Sequence, residues 1–161
     1  MPKDPFDEKL ESVKGYYNNL MATTPVSPNI ILSDHRFPRS LSGVYVFSEL
    51  SGDAESFLYV GQANGILERL HEHCATKGHK KANFAYKLTS ETTGLRPIPG
   101  SPNSTKESMF DIPEFDREFA SSITRIKGMN YRWVETSDKL EKNLLEIYVA
   151  VTLQSRFNDF D

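Results

Sequence analysis

Gly43-Val44-Tyr45-Val46-Phe47-Ser48-Glu49-Leu50-Ser51-Gly52-Asp53-Ala54-Glu55-Ser56-Phe57-Leu58-Tyr59-Val60-Gly61 is the stretch on which the fold turns. Its two runs of Val, Tyr and Phe suit a pleated, half-buried surface. The polar Ser51-Gly52-Asp53 between them is turn chemistry, so the reading is a hairpin with strands over 43–49 and 57–60. Each strand sets a tyrosine close to a glycine, in Gly43-Val44-Tyr45 and in Tyr59-Val60-Gly61. Arg69 follows eight residues after Gly61. A hairpin that gathers two phenols, with a guanidinium on the next helix, is a platform for handling a phosphodiester.

Outward from the hairpin, Phe6, Leu10, Val13, Tyr17 and Leu20 recur at spacings of three and four and predict an amphipathic helix over 6–21. Pro25, Pro28 and Pro38 make 23–42 an extended connector. After the hairpin, Asn64 reads as the N-cap of a helix to about Thr76, with Ile66, Leu67, Leu70 and Cys74 on its apolar side. A helix is expected over 80–92, then an exposed Pro-rich loop over 94–113. Another helix covers 115–126, a short strand 130–135, and a last helix 137–153. Hairpin, helices, strand, helix in that order predict an α+β fold.

The 161 residues suffice for one domain with a real core. No apolar run approaches the ~20 residues of a bilayer span, and Met1-Pro2-Lys3-Asp4-Pro5 has no secretory h-region. Cys74 is the sole cysteine, which excludes an intramolecular disulfide and makes a cytoplasmic location the default. The net charge of −3 argues against binding nucleic acid by bulk charge. Charge is uneven, however. Residues 65–96 hold 6 basic and 3 acidic groups, among them Arg69, Lys77, Lys80 and Lys81. They form either a solvated face or a local phosphate-facing surface.

On the last helix, Leu140, Leu144, Tyr148 and Val151 read as the core stripe. Glu146 falls off the polar side, with Val149, Ala150 and Leu153 on its own face. A carboxylate at the edge of an apolar surface needs a partner, a hydrogen bond or a metal; a partly exposed glutamate packing its stem on the core is the alternative. Arg69 and His73, four apart, share a helix face. Taken singly, a surface arginine, a helix histidine or a strand tyrosine is as readily structural as functional. His71, His73, Cys74 and His79 make a poor zinc set, since residues two apart on a helix diverge.

Taken together, Gly43-Val44-Tyr45, Tyr59-Val60-Gly61, Ile66-x-x-Arg69-Leu70-x-x-His73, Glu146 and, a dozen residues on, Asn158 resemble the GIY-YIG nuclease superfamily. The likeness covers about 43–73 and 131–158. Valine replaces isoleucine in both triplets and keeps the β-branching. Gln154-Ser155 stands where a proline often precedes the asparagine. The resemblance implies a small central three-stranded antiparallel sheet flanked by helices. The expected organisation is an N-terminal helix and extended connector over 1–40, followed by a nuclease-like domain over 41–161; the resemblance does not explain the first part or the segment at about 75–130, which it tolerates as an insertion.

The activity it implies is a metal-dependent endonuclease that hydrolyses phosphodiester bonds in DNA. Glu146 then holds Mg²⁺ or Mn²⁺, and Tyr45 orients or deprotonates the attacking water. Tyr59, Arg69, His73 and Asn158 complete the catalytic set. Arg69 has the further task of favouring the phenolate, since an unperturbed phenol is a poor base at neutral pH. Arg69, Lys77, Lys80 and Lys81 are the expected substrate contacts, with a partner chain or oligomer contributing specificity. A silent nucleic-acid-binding or protein-interaction module of the same fold, and a nuclease for RNA or branched DNA, are the alternatives.

Overall fold

The computed structural model describes residues 4–75 and 81–158. They fall into two compact units, residues 1–69 with 129–161, and residues 70–128.

The first unit is built on the hairpin. Strands β1 (Gly43–Ser51) and β2 (Ala54–Ala63) are longer than the sequence suggests, and a two-residue turn joins them. Gly52 takes the first turn position at φ 62°, the left-handed conformation that this hairpin geometry asks of glycine. Strand β3 (Asn130–Glu135) pairs antiparallel with β1, giving the sheet order β2-β1-β3. The fold is α+β, as the element order predicts.

Alternation along β1 gives the sheet two unlike faces. Val44 and Val46 point one way and, with Val60, pack on Val13 and Leu20 of helix α1 (Pro5–Ala22) and on Leu145, Val149 and Ala150 of helix α6 (Lys139–Leu153). Each such buried aliphatic stabilises the fold by about 1.5–3 kcal/mol. Both helices begin at an aspartate cap: Asp4 accepts from the Phe6 N–H at 2.8 Å, and Asp138 from the Glu141 N–H at 2.8 Å. The opposite face is aromatic. Tyr45 and Tyr131 stack at 5.6 Å between ring centres, Phe47 tilts against Tyr131 at 4.9 Å, and Phe37 meets Trp133 edge-on at 5.1 Å.

Three expectations need correction in this unit. Helix α6 buries the stripe Leu140, Leu144, Tyr148 and Val151 only in part: Leu144 and Tyr148 pack at the edge of the core, but Leu140 and Val151 are 56% and 66% exposed, while Lys142, Leu145, Val149 and Ala150 are buried. The helix carries apolar residues on both sides, and the valines of the sheet choose between them. The connector is not wholly extended, because Pro28 at the first helical position starts a short helix α2 (Pro28–Ser33). Asn64 is engaged elsewhere, since its Oδ1 accepts from the Lys142 ammonium.

Helix α3 (Ile66–His73) crosses the division, with Arg69 the last residue of the first unit. The second unit continues with α4 (Asn83–Thr93) and α5 (Pro113–Gly128), which pack together. The segment expected as an exposed loop is anchored by a 3-10 turn at Glu107–Asp111. That turn buries Met109 and sets Phe110 edge-on to Phe115 and Phe119 at 5.3 and 4.9 Å. Among the described residues no helix is long and apolar enough to cross a membrane.

Candidate active site

The hairpin register places Tyr45 directly opposite Gly61, and Phe47 opposite Tyr59, so both phenols lie on the aromatic face as diagonal neighbours. A bulge between Phe47 and Ser48 in the ladder leaves Leu58 as the extra residue just before Tyr59. The glycines have distinct tasks. A Cβ at Gly61 would overlap the Tyr45 hydroxyl and lie 2.8 Å from its Cε2, so only glycine lets that ring cross β2. A Cβ at Gly43 would overlap the Val134 carbonyl oxygen and lie 3.1 Å from Glu135 Cα, so glycine there lets β3 come close.

The Arg69 guanidinium donates hydrogen bonds to both phenols, and the Glu146 charge acts on the same two groups with the opposite sign. Tyr45, Tyr59 and Arg69, drawn from β1, β2 and α3, are thereby one group, and Glu146, on α6 against the other face of the sheet, reaches it through its charge. The phenols are not equivalent. Tyr45 is 1% exposed, whereas Tyr59 and Arg69 are half-buried. Burial pushes the Tyr45 phenol far above its ordinary range; the neighbouring Tyr59 adds to this, Arg69 opposes it, and Glu146 raises it further. Tyr59 is raised as well, by burial first, with Arg69 opposing and Glu146 adding. Arg69 acts on both phenols in the expected direction, towards phenolate, but exclusion of water outweighs the guanidinium.

Glu146 is half-buried, and burial raises its carboxyl above the usual range, opposed by a hydrogen bond from Gln62. Gln62 Nε2 donates to Glu146 Oε2 at 2.8 Å and to Asn143 Oδ1 at 2.6 Å. One turn earlier, Lys142 is 4% exposed, and its ammonium donates to Ser42 Oγ at 2.9 Å and to Asn64 Oδ1. Ser42 and Asn64 flank the open end of the hairpin, so the first turns of α6 are held across it. Sequence reading missed Gln62, Asn143 and Lys142. Strand alternation does contain the signal for Gln62, which must face α6 if Tyr59 and Gly61 face the other way.

Asn158 works on the backbone. Its Oδ1 accepts from the Val60 N–H and its Nδ2 donates to the Val60 carbonyl, both at 2.7 Å, while Ser155 Oγ donates to Oδ1 at 2.7 Å. With the Phe157 N–H donating to the Leu58 carbonyl at 2.9 Å, the segment pairs with the outer edge of β2. The chain turns into it at Gln154, which caps α6 in the left-handed conformation (φ 51°), so this junction needs no proline. This geometry gives Asn158, grouped with the catalytic residues and expected to fix the local structure around Glu146 or the scissile phosphate, a positioning role on the backbone of β2. Asn158→Ala strips two backbone groups of their partners, and a stability loss of about 2–4 kcal/mol is expected in urea unfolding.

The remaining expected residues have other surroundings. His73 is fully buried and edge-on to Phe84 at 6.4 Å, which corrects its place on an open face beside Arg69. Lys81 is exposed and pairs with Glu72 Oε1 at 2.8 Å, and Lys77 and Lys80 lie outside the described residues. Cys74 is buried, its thiol pushed up to about 11 by exclusion from water.

For a divalent cation, no group of three His, Cys, Asp or Glu side chains forms among the described residues. Glu146 offers a single carboxylate, with Oε2 held by Gln62 and no hydrogen bond from the described residues to Oε1. That donor set suits Mg²⁺ or Mn²⁺, which bind through one carboxylate together with water and substrate phosphate. No family model, curated protein or solved structure matches this chain.

Proposed function

We propose that this group is the active site of a metal-dependent endonuclease of GIY-YIG type that hydrolyses phosphodiester bonds in DNA. One arrangement carries the reading: the hairpin register sets Tyr45 and Tyr59 as diagonal neighbours on one face, where the Arg69 guanidinium and the Glu146 charge both act on them. A phosphodiester needs positive charge at its non-bridging oxygens and a held water in line with the leaving oxygen. Arg69 offers a planar fork for the first. Tyr59, the less buried phenol, offers a hydroxyl to orient the second. Tyr45, sealed beneath Gly61, fixes the Arg69 fork from behind. Glu146 Oε1 is the oxygen that would hold Mg²⁺ or Mn²⁺, which when bound stabilises charge on the phosphate and the departing 3′ oxygen. A reducing, cytoplasmic setting fits the single buried cysteine.

Incubation with supercoiled plasmid, linear duplex, single strands, branched junctions and RNA, with Mg²⁺ and with a chelator, tests the reading. Mg²⁺-dependent nicking of DNA is expected. Binding without cleavage under every condition would instead assign a silent module, and selective cleavage of RNA or junctions would move the substrate class. Tyr59→Phe is expected to lower turnover about 10²-fold with little change in KM, and Tyr45→Phe only about tenfold. Because both phenols are raised, the rate should climb with pH past neutrality without a plateau below about pH 10 if a phenolate takes the water's proton. A rate that is flat from pH 7 to 9 would leave Tyr59 as an orienting hydroxyl only.

A further inference from the structure

We propose that Gln62 is a positioning residue that presents Glu146 to its divalent cation, with Asn143 as its anchor. This rests on the reading of Glu146 as the cation ligand and deepens it. The geometry is a three-point bridge between a strand and a helix. Gln62 stands in β2 directly after Gly61, on the side of the sheet that faces α6. Its one amide nitrogen spends both hydrogens on α6, at 2.8 Å on Glu146 Oε2 and 2.6 Å on Asn143 Oδ1. Asn143 and Glu146 lie three residues apart, so they share a helix face.

Each bond supplies what the other lacks. A glutamate side chain on its own has free rotation about its terminal bond. The Gln62 bond picks one carboxylate oxygen and leaves Oε1 as the oxygen available to a cation. An amide holding only the carboxylate would swing with it, and the second bond, to the exposed Asn143, stops that motion. The donor is also neutral. A lysine or arginine in this place would hold the carboxylate equally well, yet would cancel the charge that draws a divalent ion. Outer partners of this kind alter metal affinity by about 10–100-fold when removed.

The test is Mn²⁺ binding to the whole protein without nucleic acid, followed by electron paramagnetic resonance, with thermal melting as the check on folding. Glu146→Gln should abolish binding. Gln62→Leu should weaken it about tenfold or more at unchanged melting temperature, and Asn143→Ala about threefold. Asn143 is exposed, so its variant keeps the test decisive if Gln62→Leu folds poorly. Wild-type affinity in both variants, with binding still lost in Glu146→Gln, would overturn the role of Gln62 alone. No Mn²⁺ binding by the wild type, or binding indifferent to Glu146→Gln, would overturn the ligand assignment and this inference with it.

Discussion

Glu146→Ala should reduce Mg²⁺-dependent nicking of supercoiled plasmid by at least about 10³-fold, while the protein keeps its fold. The size of the effect follows from the donor set. The Glu146 charge acts on both Tyr45 and Tyr59, and no group of three His, Cys, Asp or Glu side chains that could hold the ion without it forms among the described residues. Stability should change by no more than about 1 kcal/mol. The lost hydrogen bond from Gln62 is offset by relief of a carboxylate that burial already disfavours, and Gln62 keeps its bond to Asn143. Circular dichroism and urea unfolding would establish the intact fold, and gel assays with and without Mg²⁺ the loss of nicking. A variant that still nicks at the wild-type rate refutes the metal site.

Gly43→Ala carries the largest expected loss of stability, about 3–5 kcal/mol or failure to fold. Its added methyl would overlap the Val134 carbonyl oxygen and lie 3.0 Å from the Val134 carbonyl carbon. Those atoms are backbone in the neighbouring strand, so relief requires β1 and β3 to part, which breaks a ladder running from Gly43 opposite Glu135 to Ser48 opposite Asn130. Gly61→Ala differs in kind. There the methyl meets the Tyr45 side chain, which can yield by leaving its stack on Tyr131, and about 1–3 kcal/mol is expected together with a marked loss of activity. Gly15→Ala in α1 is the control. Nothing lies within 4 Å of the position its added methyl would take, and an alanine in mid-helix should add about 0.5–1 kcal/mol. Urea midpoints for the three variants should separate in that order; equal midpoints for Gly43→Ala and Gly15→Ala would remove the steric account of the first triplet.

Reading along the chain recovers the elements wherever one signal dominates. The spacing of Phe6, Leu10, Val13, Tyr17 and Leu20 marks α1, and Gly52 between two β-branched runs marks the hairpin turn. It fails where two signals compete. Helix α6 offers one apolar stripe through Leu140, Leu144, Tyr148 and Val151 and another through Leu145, Val149 and Ala150, and periodicity weighs them alike. The side that meets Val44, Val46 and Val60 centres on the second, with Leu144 and Tyr148 of the first at its edge. The site follows the same division. Tyr45, Tyr59, Arg69 and Glu146 are legible as residue types at suggestive spacings, but the bond from Gln62 to Glu146 closes over 84 residues of chain.

Local order was therefore the sequence's own contribution: strands from β-branched and aromatic runs, a hairpin turn from Ser51-Gly52-Asp53, and helices from the spacing of apolar residues. Such preferences act over a few residues and need no knowledge of distant neighbours. The tertiary structure alone decided which helix face is buried, that Asn158 serves the Val60 backbone, and that burial raises both phenols against the pull of a nearby guanidinium. Those outcomes depend on where water is excluded and on which groups arrive from remote parts of the chain, quantities that exist only once the chain has closed on itself.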